Sequence, residues 1–435
     1  MVNPSKHNVC FRLLKQGKMS FEKRVLAARK EMRELFPATP LQLNSYLSQL
    51  YGAEVYLKRE DLSPVRSYKI RGAFNAIRIS LREYPRVKEF VCASAGNHAQ
   101  GMAYCCSYFK LKGVIFMPVT TPQQKINRTK AFGGSNVEIR LFGDYFDQTL
   151  KEAVEFAKRN EGVFIPPFDN ENVIEGQATV MSEVTDQMPE GKKPDIVLLA
   201  VGGGGLAAGM VKYSKLNSIS NKFVFAEPKG AASFYATLSK GKIVKLRKTD
   251  NFVDGASVAE IGKLNFKILK GVNSDDVKII EEDRICATMI DMLNNEGIVL
   301  EPAGALAIDA LKDLPLSSLK GKKVVCIVSG GNFDFERLPD VKERALRVTG
   351  LKKYVILRLP QRPGALKDFL NLLGPQDDIS RFEYLKKSAR NFGSVLIGIE
   401  TTIPKNFDNL FSRMAKEGFA FEDITENQAL KEFVI

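Results

Sequence analysis

Between residue 54 and about residue 330, short apolar runs rich in β-branched residues alternate with longer segments of helical periodicity. Several of the runs are continuously apolar, which is typical of parallel strands that helices cover on both faces. The alternation predicts a doubly wound α/β body whose ligands bind at the carboxyl ends of the strands. The predicted strands are AEVYLKR, KEFVCAS, KGVIFMP, NVEIRLF, GVFIPP, DIVLLAVG, KFVFAEP and KVVCIVSG.

The alternating pattern stops after about residue 350, which indicates a second domain. Its segments predict the order βαββαβ of a ferredoxin-like α+β unit. The predicted strands are KKYVILRLP, ISRFEYLKK, FGSVLIGIE and LKEFVI, and the predicted helices are PGALKDFLNLL and NFDNLFSRMAKEGF. A charged helical stretch, PDVKERALRVTG, joins the two parts, so we predict domains at residues 1–345 and 346–435.

The composition excludes several classes of protein. No run approaches the ~18 consecutive apolar residues of a membrane helix, and the N-terminus lacks the apolar stretch of a secretory signal. We therefore expect no membrane partner and a cytoplasmic location. Residues 1–40 hold nine Lys and Arg against three Glu, so an organellar address stays open as an alternative.

The formal net charge is +14, but the basic residues are interleaved with acidic ones and no aromatic platforms lie between them. This pattern indicates a solvated surface that attracts anionic metabolites, and we expect no nucleic-acid partner. The six cysteines form no CxxC pair, and most lie in apolar runs, so we expect reduced core thiols. They are Cys10, Cys92, Cys105, Cys106, Cys286 and Cys326.

Histidine is scarce, since the chain contains only His7 and His98. A serine–histidine triad or a histidine-rich metal site would therefore depend on His98 alone. If the chain is an enzyme, a bound cofactor is the expected source of its chemistry. No acid follows Glu227 at the near positions and Lys229 adds positive charge, so we predict no metal there.

Lys69 stands where the amphipathic pattern of Ile70, Ala73 and Phe74 begins, so a helix is predicted to start there with Ser67 as its cap. The helix dipole and burial both disfavour an ammonium at this end, which would leave Lys69 as a neutral amine and a nucleophile. The alternative is a surface lysine whose ammonium reaches water.

Three predicted strands end in small, polar, turn-forming residues that can direct backbone N–H groups at an anion. These ends are Ser94–His98, Gly202–Gly205 and Ser329–Asn332. The tetraglycine also satisfies the G-x-G-x-x-A fingerprint through Ala207, and Glu227 lies where a ribose-binding acid would sit. This pattern alone would suggest a dinucleotide-dependent oxidoreductase. It gives no role to Lys69, to SAGNH or to SGGN, whereas a cofactor with one phosphate, one aldehyde and one pyridine nitrogen would use them all.

The chain resembles the fold-type II pyridoxal-phosphate enzymes and, among them, the biosynthetic threonine dehydratases. LKREDLSPVRSYKIRGAFNA, ASAGNHAQG, VGGGGLAAG, EPAGA and VSGGNFDFER occur in the family's order across roughly residues 20–345. GLKKYVILRLPQRPGAL resembles the start of the family's ACT-like regulatory domain. The resemblance implies a two-lobed body like that of the tryptophan synthase β subunit, followed by one ACT-like domain.

The resemblance also implies roles for individual residues. Lys69 would hold pyridoxal 5'-phosphate as an imine, Asn97 would hydrogen-bond the ring's 3-oxygen, and Ser329 would face the pyridine nitrogen. The phosphate would lie on Gly202, Gly203, Gly204, Gly205 and Leu206. The substrate carboxylate would meet Ser94, Ala95, Gly96, Asn97 and His98.

The serine at position 329 also bears on the choice of reaction. Its hydroxyl can share a hydrogen bond with the pyridine nitrogen but cannot keep that nitrogen protonated as an aspartate would. This favours α,β-elimination over transamination. The resemblance then implies conversion of L-threonine, and less well L-serine, to an oxo acid and ammonia, as the first step toward isoleucine.

The family's ACT-like modules imply a homotetramer whose activity isoleucine or valine alters. Three alternatives stay open. The first is a related fold-type II enzyme, such as a serine dehydratase or racemase. The second is the dinucleotide-dependent oxidoreductase, and the third is a non-catalytic amino-acid sensor. The sequence gives no physical reason for Phe333 in the loop that follows SGGN.

Overall fold

The computed structural model describes residues 19–385 and 391–427. The chain divides into two compact units. The first unit extends to residue 279 and continues through residues 306–332, and the second comprises residues 280–305 and the chain from residue 333 onward. The division differs from a single cut near residue 345, because residues 280–305 group with the C-terminal part.

The first unit contains a six-stranded sheet in the order β1-β2-β10-β7-β8-β9. Strands β2, β10, β7 and β8 run parallel, and β1 pairs with β2 in the antiparallel sense. The strands are β1 (Leu41–Leu43), β2 (Glu54–Arg59), β7 (Ile196–Ala200), β8 (Lys222–Pro228), β9 (Val277–Ile280) and β10 (Lys323–Val328).

A second sheet of the first unit has four parallel strands in the order β5-β4-β3-β6. They are β3 (Glu89–Ala93), β4 (Lys112–Met117), β5 (Val137–Leu141) and β6 (Val163–Phe164). Every strand predicted for this body is present, and the two sheets confirm the two-lobed α/β fold. The sequence reading missed β1 and β9.

Helices pack against both sheets. They are α1 (Phe21–Met32), α2 (Ser45–Tyr51), α3 (Lys69–Glu83), α4 (Asn97–Phe109), α5 (Gln123–Gly133), α6 (Phe146–Arg159), α7 (Glu171–Gln187), α8 (Gly205–Leu216), α9 (Ser233–Lys240), α10 (Lys263–Leu269) and α13 (Leu316–Leu319). Helix α12 (Pro302–Asp309) crosses the boundary between the units. Helices α3 and α7 approach closely because Gly176 has no side chain. A Cβ there would lie 2.4 Å from the carbonyl oxygen of Arg71.

A buried ion cluster ties α3 to its neighbours. The guanidinium of Arg71 has no solvent exposure and donates to both carboxylate oxygens of Glu60 and of Glu183, at 2.7–2.8 Å. The ammonium of Lys58, also fully buried, donates to Glu183 at 2.7 Å, and the hydroxyl of Thr39 donates to Glu60 at 2.6 Å. Buried charges are tolerated only when paired in this way.

The second unit contains the predicted ferredoxin-like order. After α11 (Glu282–Glu296) and α14 (Leu338–Val348) come β11 (Lys352–Pro360), α15 (Ala365–Leu370), β12 (Asp378–Leu385), β13 (Phe392–Glu400), α16 (Lys405–Lys416) and β14 (Ala420–Asp423). The antiparallel sheet has the order β12-β13-β11-β14. The described elements follow the predicted order βαββαβ, but their last strand, β14, is one that the sequence did not predict. The strand predicted at LKEFVI lies outside the described residues.

Other expectations can be checked on the described residues. The cysteines among them are free and buried: Cys92, Cys105, Cys106, Cys286 and Cys326. Cys10 lies outside the described part. Phe333 is buried and packs edge-to-face on Phe335 with ring centroids 5.4 Å apart, which gives it a packing role that the sequence did not show. Within the described chain, no helix is long and apolar enough to cross a membrane.

Candidate active site

Lys69 is the first residue of α3, as the sequence predicts. The cap differs from the prediction, because the helix is preceded by Tyr68 in a helical conformation. The hydroxyl of Ser67 instead accepts the N–H of Lys69 itself, at 3.3 Å. Ser67 therefore fixes the backbone of the lysine without taking the usual capping position.

The amine of Lys69 is held in a half-buried site. Its Nζ donates to the carbonyl oxygen of Pro167 at 3.0 Å. It also lies 5.4 Å from the ring centroid of Tyr68 and 5.9 Å from that of Phe168. The surface alternative, a side chain extending freely into water, is wrong for this position. Neutrality of the amine stays a prediction.

Helix α4 begins at Asn97, beside the start of α3. The hydroxyl of Ser94 accepts the N–H of Gly96 at 3.2 Å, which shapes the turn between β3 and α4. Gly101 permits the close approach of the two helices, since a Cβ there would lie 3.2 Å from the backbone of Ile70. The turn at residues 94–98 and the N-terminus of α4 thus lie near the lysine.

His98 is buried, and its Nε2 lies 3.0 Å from the carbonyl oxygen of Ile165. Burial and, to a smaller extent, the nearby Lys69 lower the pKa of His98 to about 3, although the contact with Ile165 opposes them. The imidazole is therefore neutral at pH 7, and the backbone acceptor assigns its proton to Nε2. This arrangement supports a structural role for the ring, whereas the backbone of His98 stays available to an anion.

The tetraglycine joins β7 to α8 in a conformation that needs glycine. Gly204 has φ +85°, and α8 begins at Gly205. A Cβ on Gly203 would lie 2.3 Å from the ring of Phe168, and one on Gly202 would lie 2.8 Å from the carbonyl oxygen of Ala256. The loop therefore presents bare backbone at a helix N-terminus, the arrangement that suits a phosphate.

The carbonyl oxygen of Gly203 is turned away from this anion site. It accepts the amide of Asn265 at 2.6 Å and the N–H of Gly262 at 3.1 Å. In a trans peptide the C=O and the following N–H point in opposite directions, so the N–H of Gly204 points away from Asn265. Asn265 thus orients one of the donors of the glycine loop, a role that its local sequence pattern does not indicate.

The third predicted strand end, Ser329–Asn332, is joined to the residues before Lys69. The carbonyl oxygen of Ser329 accepts the N–H of Tyr68 at 3.2 Å, and the N–H of Gly331 donates to Arg66 at 3.0 Å. Asn332 donates to the carbonyl oxygen of Val65 as well. Ser329 is buried, with 3% of its surface exposed. The structure thus brings the serine loop and the lysine together.

Residues 165–170 form a linker between β6 and α7 that the sequence reading did not single out. Besides accepting from His98 and Lys69, the linker places the ring of Phe168 against Gly203, and the Cβ and backbone of Phe168 against Gly205. The side chain of Asp169 accepts the N–H groups of Lys263 and Leu264, at 3.0 and 2.8 Å. One short segment therefore contacts the lysine, the histidine and the glycine loop.

Glu227 does not fit the role of a ribose-binding acid. Its carboxylate is buried and accepts the N–H groups of Phe234 and Tyr235 at 2.9 and 2.8 Å. Burial raises the pKa of Glu227 to about 8, although these N–H groups oppose the rise. Glu227 therefore binds the backbone at the start of α9. It no longer supports the dinucleotide alternative, in which this acid would bind a ribose. Among the described residues, no group of three or more His, Cys, Asp or Glu could hold a metal ion.

The residues present fit pyridoxal phosphate. One unit contains a primary amine, a glycine loop with no room for a Cβ beside Phe168, Ala256 and Ile261, and a buried serine at a strand end. Short contacts link all three, through Tyr68 to Ser329 and through Phe168 to the glycines. These groups match an aldehyde, a phosphate and a pyridine nitrogen.

The second unit contains a cavity of about 380 Å³ beside the turn QRPGAL. Its lining is mostly apolar, with the basic side chains of Arg362 and Lys367 at its margin. The residues around it are Leu359, Pro360, Arg362, Gly364, Ala365, Leu366, Lys367, Leu370, Phe382 and Tyr384.

Comparison with known proteins agrees with this geometry. Residues 33–330 match the family described as pyridoxal-phosphate dependent enzyme, and residues 343–434 match the C-terminal regulatory domain of threonine dehydratase. A biosynthetic L-threonine dehydratase of Staphylococcus saprophyticus is 47% identical over 93% of this chain and 96% of its own length. Another, of Halalkalibacterium halodurans, is 43% identical over 96% of this chain and 100% of its own.

Solved structures show the same relationship. The processed form of threonine deaminase isoform 2 from Solanum lycopersicum is 36% identical with a TM-score of 0.69, over 76% of this chain and 94% of that one. Serine racemase from Dictyostelium discoideum is 32% identical with a TM-score of 0.64, over 72% and 98%. The chain therefore belongs to the pyridoxal-phosphate dependent enzymes and, within them, to the biosynthetic threonine dehydratase family.

Proposed function

We propose that the chain is an ammonia-lyase that converts L-threonine to 2-oxobutanoate and ammonia by α,β-elimination, the first step of isoleucine biosynthesis. The observation that carries the proposal is the placement of Lys69 at the start of α3, between the serine loop and the linker that packs on the glycines. The names of the relatives support the same reaction.

Pyridoxal phosphate, when bound, supplies an electron sink that lets the α-proton and the β-hydroxyl leave the substrate. Lys69 would hold the cofactor, and its amine, once displaced by the substrate, would accept the α-proton. The N–H groups of Gly202, Gly203, Gly204, Gly205 and Leu206 would hold the phosphate. Asn97 would donate to the ring's 3-oxygen.

The substrate carboxylate would bind at the N-terminus of α4. Ser94, Ala95, Gly96, Asn97 and His98 form the turn before and at the start of this helix, where the dipole favours an anion. Ser94 would contribute its hydroxyl, because its N–H donates to the carbonyl oxygen of Phe116. Because the ring of His98 is neutral and donates to the carbonyl oxygen of Ile165, it adds no charge to this site.

Ser329 favours elimination. A hydroxyl facing the pyridine nitrogen shares a hydrogen bond with it and does not hold it protonated. The electron sink is then shallower than it would be beside an aspartate, so prompt loss of the β-hydroxyl is favoured over reprotonation at the cofactor.

The test begins with the purified protein, which should be yellow. Borohydride should remove the yellow colour and leave the cofactor attached to Lys69 in a peptide map. Lys69→Ala should abolish turnover of L-threonine. A colourless protein that binds NAD or FAD would overturn the proposal and restore the oxidoreductase alternative.

The same assay, run with different substrates, distinguishes two related enzymes from a threonine dehydratase. A serine dehydratase would turn over L-serine better than L-threonine, and a racemase would release D-serine in excess of oxo acid. Wild-type protein that is inert on a panel of hydroxyamino acids would favour a non-catalytic sensor.

We also propose a regulatory role for the C-terminal part, with a domain boundary near residues 345–346. The effector would be isoleucine or valine. The cavity by QRPGAL supports this, since its apolar lining suits a branched aliphatic side chain and its two basic residues suit a carboxylate. An effector alters activity only if it binds one state of the enzyme more tightly than another.

Deleting residues 351–435 should remove the response to isoleucine, because the cavity residues lie within that range. The residues proposed to hold the cofactor all precede residue 333 and stay in the truncated chain. Undiminished inhibition of the truncated enzyme by isoleucine would contradict the assignment.

We further propose a cytoplasmic homotetramer. Strand β12 lies at an edge of its sheet and carries the partly exposed rings of Phe382 and Tyr384, which suits pairing with a second copy. Light scattering on the purified protein gives the number of subunits, and a monomeric mass would refute the assembly. Cell fractionation tests the location, and recovery of the protein in an organelle would refute it.

A further inference from the structure

Asn265, on the short helix α10, has no solvent exposure and joins the glycine loop to the linker at residues 165–170. Its Nδ2 donates to the carbonyl oxygen of Gly203 at 2.6 Å and to that of Phe168 at 3.4 Å. A backbone carbonyl can only accept, so both contacts require the amide nitrogen on this side. The orientation of the Asn265 amide therefore does not depend on telling its oxygen from its nitrogen.

The oxygen of the same amide is buried and has no hydrogen-bond partner among the described residues. An unpaired buried oxygen lowers stability, and a leucine of similar size would avoid that loss. Such a change would not leave the carbonyl oxygen of Gly203 unpaired, because it also accepts the N–H of Gly262 at 3.1 Å. The stability of the fold therefore gives no reason for an asparagine at position 265.

The glycine loop, in contrast, needs contacts that set the direction of its N–H groups. The peptide between Gly203 and Gly204 has no side chain at either end, so both of its orientations are open to the backbone. Within the described part of the chain, the N–H of Gly204 has no hydrogen-bond partner that would fix it. A reversed peptide would present the carbonyl oxygen of Gly203 to the proposed phosphate, and the two would repel. The donors that oppose this reversal are Gly262 and Asn265.

Asn265 is itself held in place by the linker. The carboxylate of Asp169 accepts the N–H groups of Lys263 and Leu264, the first two residues of α10, at 3.0 and 2.8 Å. Asn265 is the third residue of this helix. The capped start of α10 thus fixes the point from which the amide reaches the glycine loop.

We propose that Asn265 is a positioning residue that sets the affinity of the site for the cofactor's phosphate group. It does so by holding the peptide between Gly203 and Gly204 with its N–H toward that phosphate. The inference rests on the proposed function and deepens it. Asn265 acts through the glycine loop and does not itself contact the phosphate.

The loss of this amide should weaken the binding of a ligand that carries the phosphate and spare one that lacks it. Asn265→Leu keeps the size of the side chain but removes a donor to Gly203, so the peptide is reversed for part of the time. The apparent affinity falls with the fraction of the protein that remains competent to bind. For one hydrogen bond, we expect the dissociation constant of pyridoxal phosphate to rise about three- to tenfold. That of pyridoxal, which has no phosphate, should stay the same.

The experiment is a fluorescence titration of the full chain, freed of cofactor, with pyridoxal phosphate and separately with pyridoxal. Phosphorus NMR of the loaded protein gives a second readout, since the resonance of the bound phosphate should move in Asn265→Leu. The thermal midpoint of the cofactor-free chain should not fall in this variant, because no buried group loses its last partner. Asn265→Ala removes the same donor and serves if Asn265→Leu does not fold.

The matched control is Asn75→Leu. Asn75 is equally buried and donates its amide to the carbonyl oxygen of Asn172, also at 2.6 Å, between α3 and α7. Its ratio of affinities for the two ligands should equal that of wild type. An Asn265→Leu protein that binds pyridoxal phosphate as wild type does, or that loses affinity for both ligands equally, would overturn the inference. A wild-type chain that binds neither ligand would instead refute the proposed function itself.

Discussion

Replacing Arg71 by methionine tests how far the buried ion cluster stabilises the first unit. Burial alone would lower the pKa of Arg71, but Glu183 and Glu60 raise it overall, which shows a cation held by two carboxylates. Removing the cation leaves the fully buried Glu60 without a salt bridge among the described residues, whereas the buried Glu183 keeps Lys58 and the partly exposed Arg33.

Breaking a buried pair by removing one partner costs about 3–5 kcal/mol, because the remaining charge is uncompensated. The midpoint of a 150–250-residue domain moves by about 2–4 °C per kcal/mol, and less in a larger unit. We therefore expect Arg71→Met to lower the thermal midpoint of the first unit by about 6–10 °C. Circular dichroism of the holoenzyme at one fixed scan rate measures the shift.

Arg78→Met is the matched control on the same helix. Arg78 is also buried, but its partner Glu31 is 26% exposed and pairs with Arg82 as well. Solvent can hydrate Glu31 once Arg78 is gone, so at the same conversion the midpoint should fall by only about 2 °C or less. Equal shifts in the two variants, or a higher midpoint in Arg71→Met, would refute the reasoning.

Three further predictions concern other parts of the molecule. Gly204→Ala should weaken cofactor binding about tenfold in a fluorescence titration, because φ +85° strains any side chain and a Cβ would lie 2.9 Å from Ile261. Glu227 has a pKa of about 8 when folded, above its ordinary 4.5, so the stability it contributes is complete below pH 4.5 and is lost as the pH rises through 8. Between pH 5 and 9 the thermal midpoint should therefore fall more in wild type than in Glu227→Gln, and equal falls would contradict the shift. Leu370→Glu, which puts a charge into the cavity, should reduce the response to isoleucine in a steady-state assay while the uninhibited rate stays the same.

The sequence predicted most strands of both units because their signal is local. A parallel strand covered on both faces is apolar along most of its length, and the runs at β3, β4, β7 and β10 show this directly. The start of α3 could be predicted from the sequence for the same reason. The spacing of Ile70, Ala73, Phe74 and Ile77 marks one face, and all four side chains are buried.

Contacts between residues that are far apart in the sequence could not be predicted in this way. The acceptor of Lys69 lies 98 positions further along the chain, and Asn332, which donates to the Oδ1 of Asn97, lies 235 positions from it. Neither Pro167 nor Asn332 differs in its local pattern from an ordinary turn residue. β1 was missed for another reason, since LQL is only three residues long and leaves no period to detect.

The linker at residues 165–170 has a consequence for how this sequence can diverge. Its successive residues contact different partners: Ile165 meets His98, Pro167 meets Lys69, and Phe168 meets Gly203. A single inserted or deleted residue would shift these contacts out of register together, whereas a substitution disturbs one at a time. In a library of random insertions and deletions, functional variants should therefore be depleted at this linker, even though it has little regular secondary structure of its own.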